Sequence, residues 1–199
     1  MNIKKDREGL ENNMNLEIEI KAKIRDFSKI RKQLLEVGAK KTGTVHQIDT
    51  YYLISPKYRF KSGEPRLRIR ENKTANKFFW EYHQPTDMFG AKEYETEIDD
   101  PKMAKLILKK LGYEAEAVID KVREEYKFKS LNIVLDKVKG LGQFMEVEIM
   151  DYNRKEGLNR IYGFYNKIGI SKEDLIPEKR YLDMIWGKQL KKNKKIRIE

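Results

Sequence analysis

Charged and apolar side chains alternate in the segment Leu16 to Lys23, which reads Leu-Glu-Ile-Glu-Ile-Lys-Ala-Lys. A two-residue period places Glu17, Glu19, Lys21 and Lys23 on one face of a β-strand and the apolar residues on the other. Carboxylates are the oxygen ligands that Mg²⁺ and Mn²⁺ prefer, and lysine binds phosphate as a point charge. This strand face could therefore hold a metal ion together with an anion; the alternative is a solvated face with cross-strand ion pairs.

Three arginines alternate in the same way further along the chain, at Arg66, Arg68 and Arg70. Like charges in a row on one strand face repel one another, so we expect an anionic group to face them. One candidate is a phosphate-bearing ligand, which guanidinium groups bind through paired hydrogen bonds. The other is a row of carboxylates on a neighbouring strand, and one segment supplies such a row (Glu93, Glu95 and Glu97). The two interpretations are compatible with each other.

Three further predicted strands carry charged side chains of the same kinds. Lys121 and Arg123 share one strand face, and Asp136 ends the strand that follows. After a glycine-containing turn, Glu146 and Glu148 share a face of the next strand. Acidic and basic strand faces therefore recur along the whole chain, which favours a common charged surface over isolated surface charges.

The composition limits the classes of protein and partner. The chain has 199 residues, of which 39% are hydrophobic, and this is enough for one domain with a core. It contains no cysteine, which excludes disulfides and zinc–thiolate sites. The formal net charge of +11 predicts a polyanionic partner: a nucleotide, a polyphosphate, nucleic acid or an acidic membrane. No stretch reaches the roughly eighteen apolar residues of a membrane span, and the polar N-terminal segment predicts a cytoplasmic protein.

One domain is predicted over residues 14–187, between a disordered extension over residues 1–13 and a basic tail over residues 188–199. Within the domain, apolar residues at helical spacing predict three helices and a short closing helix over residues 175–187. The first helix follows Asp26, which suits the N-cap position, and presents one apolar side to the core.

The second and third helices are predicted from similar signals. The second begins at Asp100-Pro101, because proline suits the first helical position. Its apolar stripe has four members (Met103, Leu106, Ile107 and Leu111). In length and placement it resembles the first helix. The third helix begins after Asn153, with Glu156 three residues later as in a capping box.

About eight strands with charged faces and helices between them predict an α+β fold. If the sheet closes into an antiparallel eight-stranded β-barrel with helices packed on the outside, the apolar faces meet the helices and the charged faces point inward. The interior is then a hydrophilic tunnel. Buried charges are costly unless they are paired or ligated, so such a tunnel suits a ligand that is itself a highly charged metal–polyphosphate.

The order and spacing of the charged motifs resemble those of the CYTH superfamily, the triphosphate tunnel metalloenzymes. The resemblance covers roughly residues 14–187. Its motifs are Glu17-x-Glu19-x-Lys21, Asp49-Thr-Tyr-Tyr, Arg66-x-Arg68-x-Arg70, Lys121-x-Arg123, Asp136, Gly140-Leu-Gly142-x-Phe-x-Glu146-x-Glu148 and Arg180-Tyr181. The segment from Leu135 to Glu148 is most similar to prokaryotic class IV adenylyl cyclases. The superfamily also contains thiamine triphosphatases, inorganic triphosphatases and RNA 5′-triphosphatases.

The resemblance implies a tunnel barrel that uses Mg²⁺ or Mn²⁺ and a triphosphate substrate. The implied metal ligands are Glu19, Glu146 and Glu148. The implied catalytic residues are Lys21, Lys121, Arg123 and Asp136. The implied substrate-binding residues are Glu17, Lys23, Arg66, Arg68, Arg70, His83 and Arg180. The resemblance is also compatible with a homodimer, and it implies a nucleoside triphosphate or polyphosphate as the partner, with neither a membrane nor nucleic acid expected.

One position departs from the family pattern. His83-Gln84-Pro85 stands where the family often has Lys-Gly-Pro, so a fixed charge is exchanged for one that titrates near neutrality in an ordinary environment. An ordinary strand-end histidine is the alternative. If His83 replaces the lysine, cyclase activity is in doubt and activity is expected to depend on pH.

Three functions follow from this pattern. The first is an adenylate cyclase that converts ATP to cyclic AMP and pyrophosphate. The second is a triphosphatase that hydrolyses tripolyphosphate, thiamine triphosphate or a nucleoside triphosphate. The third is a non-catalytic module that binds polyphosphate, nucleotide or RNA, whose binding would fall steeply with salt and need no metal.

Overall fold

The structure is a computed structural model that describes residues 16–54, 64–85, 90–151, 153–177 and 180–196. Its eight strands are β1 (Leu16–Ile24), β2 (Lys40–Leu53), β3 (Arg66–Asn72), β4 (Lys77–Pro85), β5 (Gly90–Ile98), β6 (Ala115–Phe128), β7 (Leu131–Val138) and β8 (Gly142–Asp151). Its α-helices are α1 (Phe27–Glu36), α2 (Pro101–Lys110), α3 (Arg154–Lys167) and α4 (Tyr181–Ile196). The predicted N-terminal extension lies outside the described residues.

All neighbouring strands pair antiparallel, in the order β1-β5-β4-β3-β2-β6-β7-β8. β1 pairs along its whole length with β8, whereas its pairing with β5 consists of Glu17 with Ala91 and Ile18 with Gly90. The predicted eight-stranded antiparallel sheet with external helices is therefore confirmed. The sheet curls until β1 has a neighbour on both sides, and the predicted barrel closure depends on this short seam between β1 and β5.

The strands direct apolar side chains outward, toward the helices. In β1, Ile18 and Ile20 are fully buried in a core that β1, β7 and β8 form with α1 and α3. The alternate residues Glu19 and Lys21 line the interior cavity. Tyr165 of α3 fixes this layer, because its hydroxyl donates a hydrogen bond of 2.7 Å to the carbonyl oxygen of Ile20. The predicted inside-out distribution of charge is confirmed.

Helix capping follows the sequence signals. The Asp26 carboxylate accepts a hydrogen bond of 2.8 Å from the Ser28 amide, and Asp100 accepts one of 2.9 Å from the Met103 amide. Pro101 occupies the first position of α2, where its missing amide proton costs nothing. These caps satisfy amides that have no partner within the helix, so they fix the helix starts.

The sequence predicts that the apolar stripe of α2 faces the core, as in the first helix, and this prediction is wrong. Ala104 and Leu108 are the buried side chains of α2 that join the core cluster on β3, while Met103, Leu106, Ile107 and Leu111 are exposed. Lys105 contacts the Glu71 carboxylate of β3 and so holds this side of the helix against the sheet. A small alanine and one leucine suit this close approach, and the larger apolar side chains are left on the far side.

The chain end is also more helical than predicted. A 3₁₀-helix at Lys172–Asp174 and a bridge between Ala22 and Leu175 precede α4, which then runs from Tyr181 to Ile196. Most of the segment predicted as a basic tail is therefore helical. None of the described helices is long and apolar enough to cross a membrane.

Two glycines of α3 give a matched test of how closely this helix packs on β1. A Cβ atom added at Gly157 would lie 2.6 Å from Cδ1 of Ile18 and 3.3 Å from Cγ2 of Ile149, and both isoleucines are buried. At Gly163 an added Cβ would meet nothing within 4 Å. We expect Gly157→Ala to lower the free energy of unfolding by about 1–2 kcal/mol because the core has no room for the methyl group.

Gly163→Ala is the control, and we expect it to raise the free energy of unfolding by about 0.5–1 kcal/mol through helix propensity alone. Urea unfolding of both variants measures the two values. Equal stabilisation by both substitutions would show that α3 does not pack tightly against β1.

Candidate active site

The interior of the curled sheet is a cavity lined mostly by charged residues. Seventeen residues line it: Glu17, Glu19, Lys21, Tyr51, Arg66, Arg68, Arg70, His83, Glu93, Lys121, Arg123, Glu146, Glu148, Arg180, Tyr181, Leu182 and Asp183. Most of the residues that the sequence singled out therefore come together here. Lys23 and Asp136 do not line the cavity: Lys23 is exposed, and Asp136 is fully buried behind the wall.

Three carboxylates meet where β1 pairs with β8. Glu19 lies directly opposite Glu148 in this pairing, and Glu17 is two residues along β1. One carboxylate oxygen from each lies within 4.8 Å of the others, so the three form a group that could hold a metal ion. Burial, followed by the negative charge of Glu148, raises the pKa of Glu17 to about 9, and burial also raises the pKa of Glu148. A divalent cation would relieve this repulsion.

Glu146 lies outside that group, although the family resemblance implies that it is a metal ligand. Its carboxylate is 2.9 Å from Nζ of Lys21 and 2.8 Å from Nη2 of Arg123. Burial opposes the ionisation of Glu146, but the charges of Lys21 and Arg123 hold its pKa well below its usual range. Glu146 is therefore an ionised partner of two cations, and the carboxylate next to Glu19 and Glu148 is that of Glu17. The implied role of Glu146 as a metal ligand stays a prediction.

The arginines of β3 are held by carboxylates of neighbouring strands. Arg70 donates two hydrogen bonds to Asp49, of 2.9 and 3.0 Å. Arg68 contacts the fully buried Glu81 and lies 3.3 Å from a carboxylate oxygen of Glu93. Of the predicted carboxylate row on β5, Glu93 therefore faces the arginines. Glu95 and Glu97, the other two members of the row, are exposed. A carboxylate oxygen of Glu97 lies 3.3 Å from Nζ of Lys77.

Asp136 organises the wall formed by β6 and β7. It accepts hydrogen bonds of 2.8 and 2.6 Å from Arg123 and one of 3.1 Å from the hydroxyl of Tyr181, and it lies 3.3 Å from Nζ of Lys121. Burial opposes its ionisation, but the charge of Arg123 and then that of Lys121 keep its pKa below the usual value. Because Asp136 is buried behind the cavity lining, it orients Lys121 and Arg123, and its implied catalytic role stays a prediction.

His83 lines the cavity next to the arginine wall. Its Nε2 atom lies 3.6 Å from a carboxylate oxygen of Glu93, and β4 places it opposite Arg66. Burial, reinforced by the positive charge of Arg68, lowers the pKa of His83 to about 4. The expectation that His83 titrates near neutrality is therefore wrong: the imidazole is neutral at pH 7 and can accept or donate one hydrogen bond through Nε2.

Arg66 and Arg180 complete the basic part of the lining. Arg66 donates hydrogen bonds of 2.6 and 2.8 Å to the backbone carbonyls of Glu64 and Pro65. Arg180 lies at the start of α4, directly before Tyr181. The packing of Tyr181 against Phe144 of β8, with ring centroids 5.1 Å apart, brings this end of α4 onto the curled sheet.

Three partners of the arginines were given no such role by the sequence: Asp49, Tyr51 and Glu81. Each lies within hydrogen-bonding distance of Arg68 or Arg70. Glu81 could have been found from the two-residue period of β4, because that period places it on the same strand face as His83. Asp49 and Tyr51 stand in a segment that carried the family resemblance, but their partners depend on the pairing of β2 with β3.

Comparison with known proteins agrees with this architecture. A Methanocaldococcus jannaschii protein, MJ0240, which is named as a candidate adenylate cyclase, is 34% identical over 175 residues, covering 85% of this chain and 98% of the relative. The structure of PH1012 from Pyrococcus horikoshii OT3 has a TM-score of 0.75 and 28% identity, covering 84% of this chain and 98% of that one.

A more distant structure shares the fold alone. HpAC1 of Hippeastrum, described as a candidate adenylyl cyclase with a dominant triphosphatase activity, has a TM-score of 0.58 and 17% identity, covering 79% of this chain and 89% of that one. Residues 15–178 of the present chain match the CYTH domain. On the strength of this match and of the archaeal relative, the chain belongs to the CYTH domain family.

Proposed function

We propose that this protein is a metal-dependent enzyme that acts on the triphosphate group of its substrate. The observation that carries the proposal is the arrangement of one cavity: a group of three carboxylates on β1 and β8 faces arginines and lysines on β3 and β6. A surface that binds RNA needs basic residues alone. A triphosphate with its divalent cation needs both signs of charge within reach of each other.

The acidic group fits a metal ion by the chemistry of its donors. Glu17, Glu19 and Glu148 supply oxygen ligands of the kind that Mg²⁺ and Mn²⁺ take, and their mutual repulsion favours a cation between them. When bound, such an ion would polarise a phosphoryl oxygen and offset its charge. Glu146, already paired with Lys21 and Arg123, would keep those cations oriented beside the acidic group.

The cations of the cavity are arranged before any ligand arrives. Arg68, Arg70 and Arg123 are each held by at least one buried carboxylate, and Lys121 lies beside Asp136. Donors that are already oriented stabilise charge on a phosphate without reorganisation, which is a large part of electrostatic catalysis. These side chains would therefore bind the triphosphate and stabilise the negative charge that grows on its leaving group.

An adenylate cyclase is the first candidate reaction, because a relative that covers most of the chain carries that name. In this reaction the ribose 3′ oxygen attacks the α-phosphorus of ATP, the bond from that phosphorus to the bridging oxygen breaks, and pyrophosphate leaves. The hydroxyl proton passes to a base or to solvent. The basic residues of β3 and β6 would neutralise the departing pyrophosphate.

A triphosphatase is the second candidate, and the character of the lining favours it. Among the described residues, the aromatic and apolar side chains that could contact an adenine base in the cavity are Tyr51, His83, Tyr181 and Leu182. Both tyrosine hydroxyls are already hydrogen-bonded, to Arg68 and to Asp136. Thirteen of the seventeen lining residues are charged, which suits a ligand that is mostly phosphate. HpAC1, which shares the fold, is described with a dominant triphosphatase activity.

Product analysis separates the two reactions. Purified protein is incubated with ATP and, separately, with tripolyphosphate, in the presence of Mg²⁺ or Mn²⁺ from neutral to alkaline pH. Cyclic AMP with pyrophosphate is the result expected of a cyclase, and orthophosphate without cyclic AMP is that of a triphosphatase. Binding of either compound without any metal-dependent product would contradict the enzyme proposal and favour a binding module.

The raised pKa of Glu17 predicts that metal binding releases a proton. Glu17 is protonated at pH 7 because its pKa is about 9 in the metal-free protein, and it must ionise before it can ligate Mn²⁺. The apparent affinity for Mn²⁺ should then rise about tenfold for each pH unit between pH 6.5 and 8. Calorimetric titrations in two buffers of different ionisation enthalpy measure the released proton directly.

Glu17→Gln is the matched variant for this titration. It removes the titrating group while keeping its size, so we expect the dependence of Mn²⁺ affinity on pH to flatten and the buffer-dependent heat to disappear. If wild-type protein bound Mn²⁺ with the same affinity at pH 6.5 and 8, Glu17 would not be a ligand that exchanges a proton for the metal.

A further inference from the structure

A groove on the outside of the protein lies between the turn from β6 to β7 and one face of α3, and none of its residues lines the candidate active site. Its apolar floor comes from the two strands and the helix: Phe128, Leu131, Phe164 and the bare backbone of Gly163. The rings of Phe128 and Phe164 pack with their centroids 5.2 Å apart, which holds the helix against the strands. The groove has a volume of about 410 Å³, and small-molecule sites usually have about 300–1,000 Å³.

The rim of this groove is basic. Three exposed cations stand on it: Lys129, Arg160 and Lys167. The ammonium groups of Lys129 and Lys167 lie 5.5 and 5.2 Å from the centroid of the same ring, that of Phe128. No carboxylate belongs to the described lining, and Arg160 lies 3.5 Å from Asp151 outside it. Because like charges converge here without a carboxylate between them, an anion is favoured at this point.

The fold by itself does not account for both lysines. Lys167 is in the last turn of α3, where a positive charge suits the helix dipole. Lys129 stands in the turn from β6 to β7 with a φ of 53°, a left-handed backbone conformation that glycine or asparagine adopts more easily than lysine. The turn therefore does not select a lysine, yet the Lys129 side chain reaches the ring of Phe128. An anionic ligand in the groove would give both lysines a partner.

We propose that this groove is a second ligand site and that it binds a mononucleotide. The base lies against the ring of Phe128 and over Gly163, and the phosphate lies among the three cations of the rim. A Cβ atom added at Gly163 would meet nothing within 4 Å, so there is room for a flat ring over this part of the helix. Bases of any kind stack on aromatic side chains, and lysine and arginine bind phosphate. The site is separate from the cavity to which the proposed function belongs.

The shape and charge of the groove argue against other occupants. Leu131 and Phe164 are 5% and 3% exposed, so they lie below the rim, where a flat membrane surface does not reach them. Single-stranded nucleic acid stacks successive bases on several aromatic side chains, whereas Phe128 is the one aromatic residue of the described lining that is not buried. A fatty acid brings one negative charge to three cations, and a phosphate monoester brings up to about two at pH 7.

Calorimetric titration of the full chain with AMP, without added metal, tests the proposal. Gly163→Leu fills the space meant for the base, so we expect it to remove one bound AMP per chain or to weaken its binding about tenfold or more. Gly187→Leu is the matched control, because a Cβ atom there also meets nothing within 4 Å, on a helix that does not border the groove. It should bind AMP like the wild type. AMP binding that Gly163→Leu leaves unchanged, or that both variants weaken equally, would overturn the proposal.

Other ligands show which parts of the nucleotide bind. Adenosine lacks the phosphate and ribose 5-phosphate lacks the base, so each should bind about tenfold more weakly than AMP. If either bound as tightly as AMP, the proposed use of both the ring and the cations would be wrong. Laurate and a short oligoadenylate represent the other occupants. Tighter binding of either one than of AMP, lost in Gly163→Leu, would contradict a mononucleotide site.

Neutral variants of the lysines test the position of the phosphate. The double variant Lys129→Gln/Lys167→Gln should weaken AMP binding about tenfold and reduce its dependence on salt, because exposed charges are screened by salt. Lys155→Gln is the matched control, since Lys155 is exposed on another side of α3 and should leave AMP binding unchanged. Circular dichroism and urea unfolding show that the variants keep the fold. Wild-type affinity and salt dependence in the double variant would overturn the proposal.

Discussion

Replacing Glu148 by glutamine is expected to lower metal-dependent turnover by about 100- to 1,000-fold, on ATP or tripolyphosphate alike. Glu148 faces Glu19 across the pairing of β1 with β8 and belongs to the carboxylate group of the cavity. Glutamine keeps the shape of the side chain but removes the charge that would hold a divalent cation. The loss should be partly recovered at high metal concentration, because the remaining two carboxylates still attract the ion.

Initial rates over a range of Mn²⁺ concentrations measure this effect. Glu95→Gln is the matched control, since Glu95 is an exposed carboxylate on β5, and its rate should equal that of the wild type. Unfolding curves of both variants show whether any loss comes from the fold. Full turnover by Glu148→Gln at limiting metal would remove Glu148 from the metal site.

Asp136→Asn is expected to lower the free energy of unfolding by about 3 kcal/mol, because it leaves buried cations without their carboxylate. Asp136 is fully buried and accepts hydrogen bonds from Arg123 and Tyr181, with Lys121 also beside it. Glu146 continues to contact Arg123 in the variant, so we expect the fold to survive. Turnover should fall as well, since Lys121 and Arg123 lose the group that orients them toward the cavity.

The effect of Asp136→Asn should depend on pH in a defined direction. The pKa of Asp136 is lower in the folded protein than its usual value of 3.8, so its ionisation stabilises the fold above that pH. The difference in stability between wild type and variant should therefore be complete at pH 6 and shrink as pH falls below about 4. Urea unfolding at several pH values measures it.

Asp120→Asn provides the comparison for the same chemical change at the surface. Asp120 bonds His46 at 2.7 Å on the outside of the sheet and is about one-third exposed. Its loss should cost less than about 1 kcal/mol, as is usual for exposed ion pairs. If the two asparagine variants were equally stable, the buried pairs around Asp136 would contribute nothing measurable to the fold.

The strands and their charged faces were predictable because a two-residue period is a local property of the sequence. Which carboxylates form the acidic group was not predictable in this way. Whether Glu17 or Glu146 joins Glu19 and Glu148 depends on the pairing of Lys21 with Glu146 across β1 and β8, which lie at opposite ends of the domain. Once that pairing is formed, Lys21 neutralises Glu146, and Glu17 is left beside the other two carboxylates.

Two other differences have similar causes. The periodicity of α2 indicates an amphipathic helix, but the side that packs is selected by Ala104, Leu108 and the contact of Lys105 with Glu71. These depend on a surface built by other strands. The low pKa of His83 likewise follows from burial beside Arg68, a residue fifteen positions away that the antiparallel pairing of β3 with β4 brings near.

The central claim is that one cavity holds the metal ion and the triphosphate side by side. Anomalous diffraction from crystals soaked with Mn²⁺ and a non-hydrolysable triphosphate analogue tests it most directly. We expect manganese density among Glu17, Glu19 and Glu148, with the phosphates in contact with Arg68 and Arg123. Manganese bound elsewhere, or an analogue bound only on the outer surface of the protein, would contradict the claim.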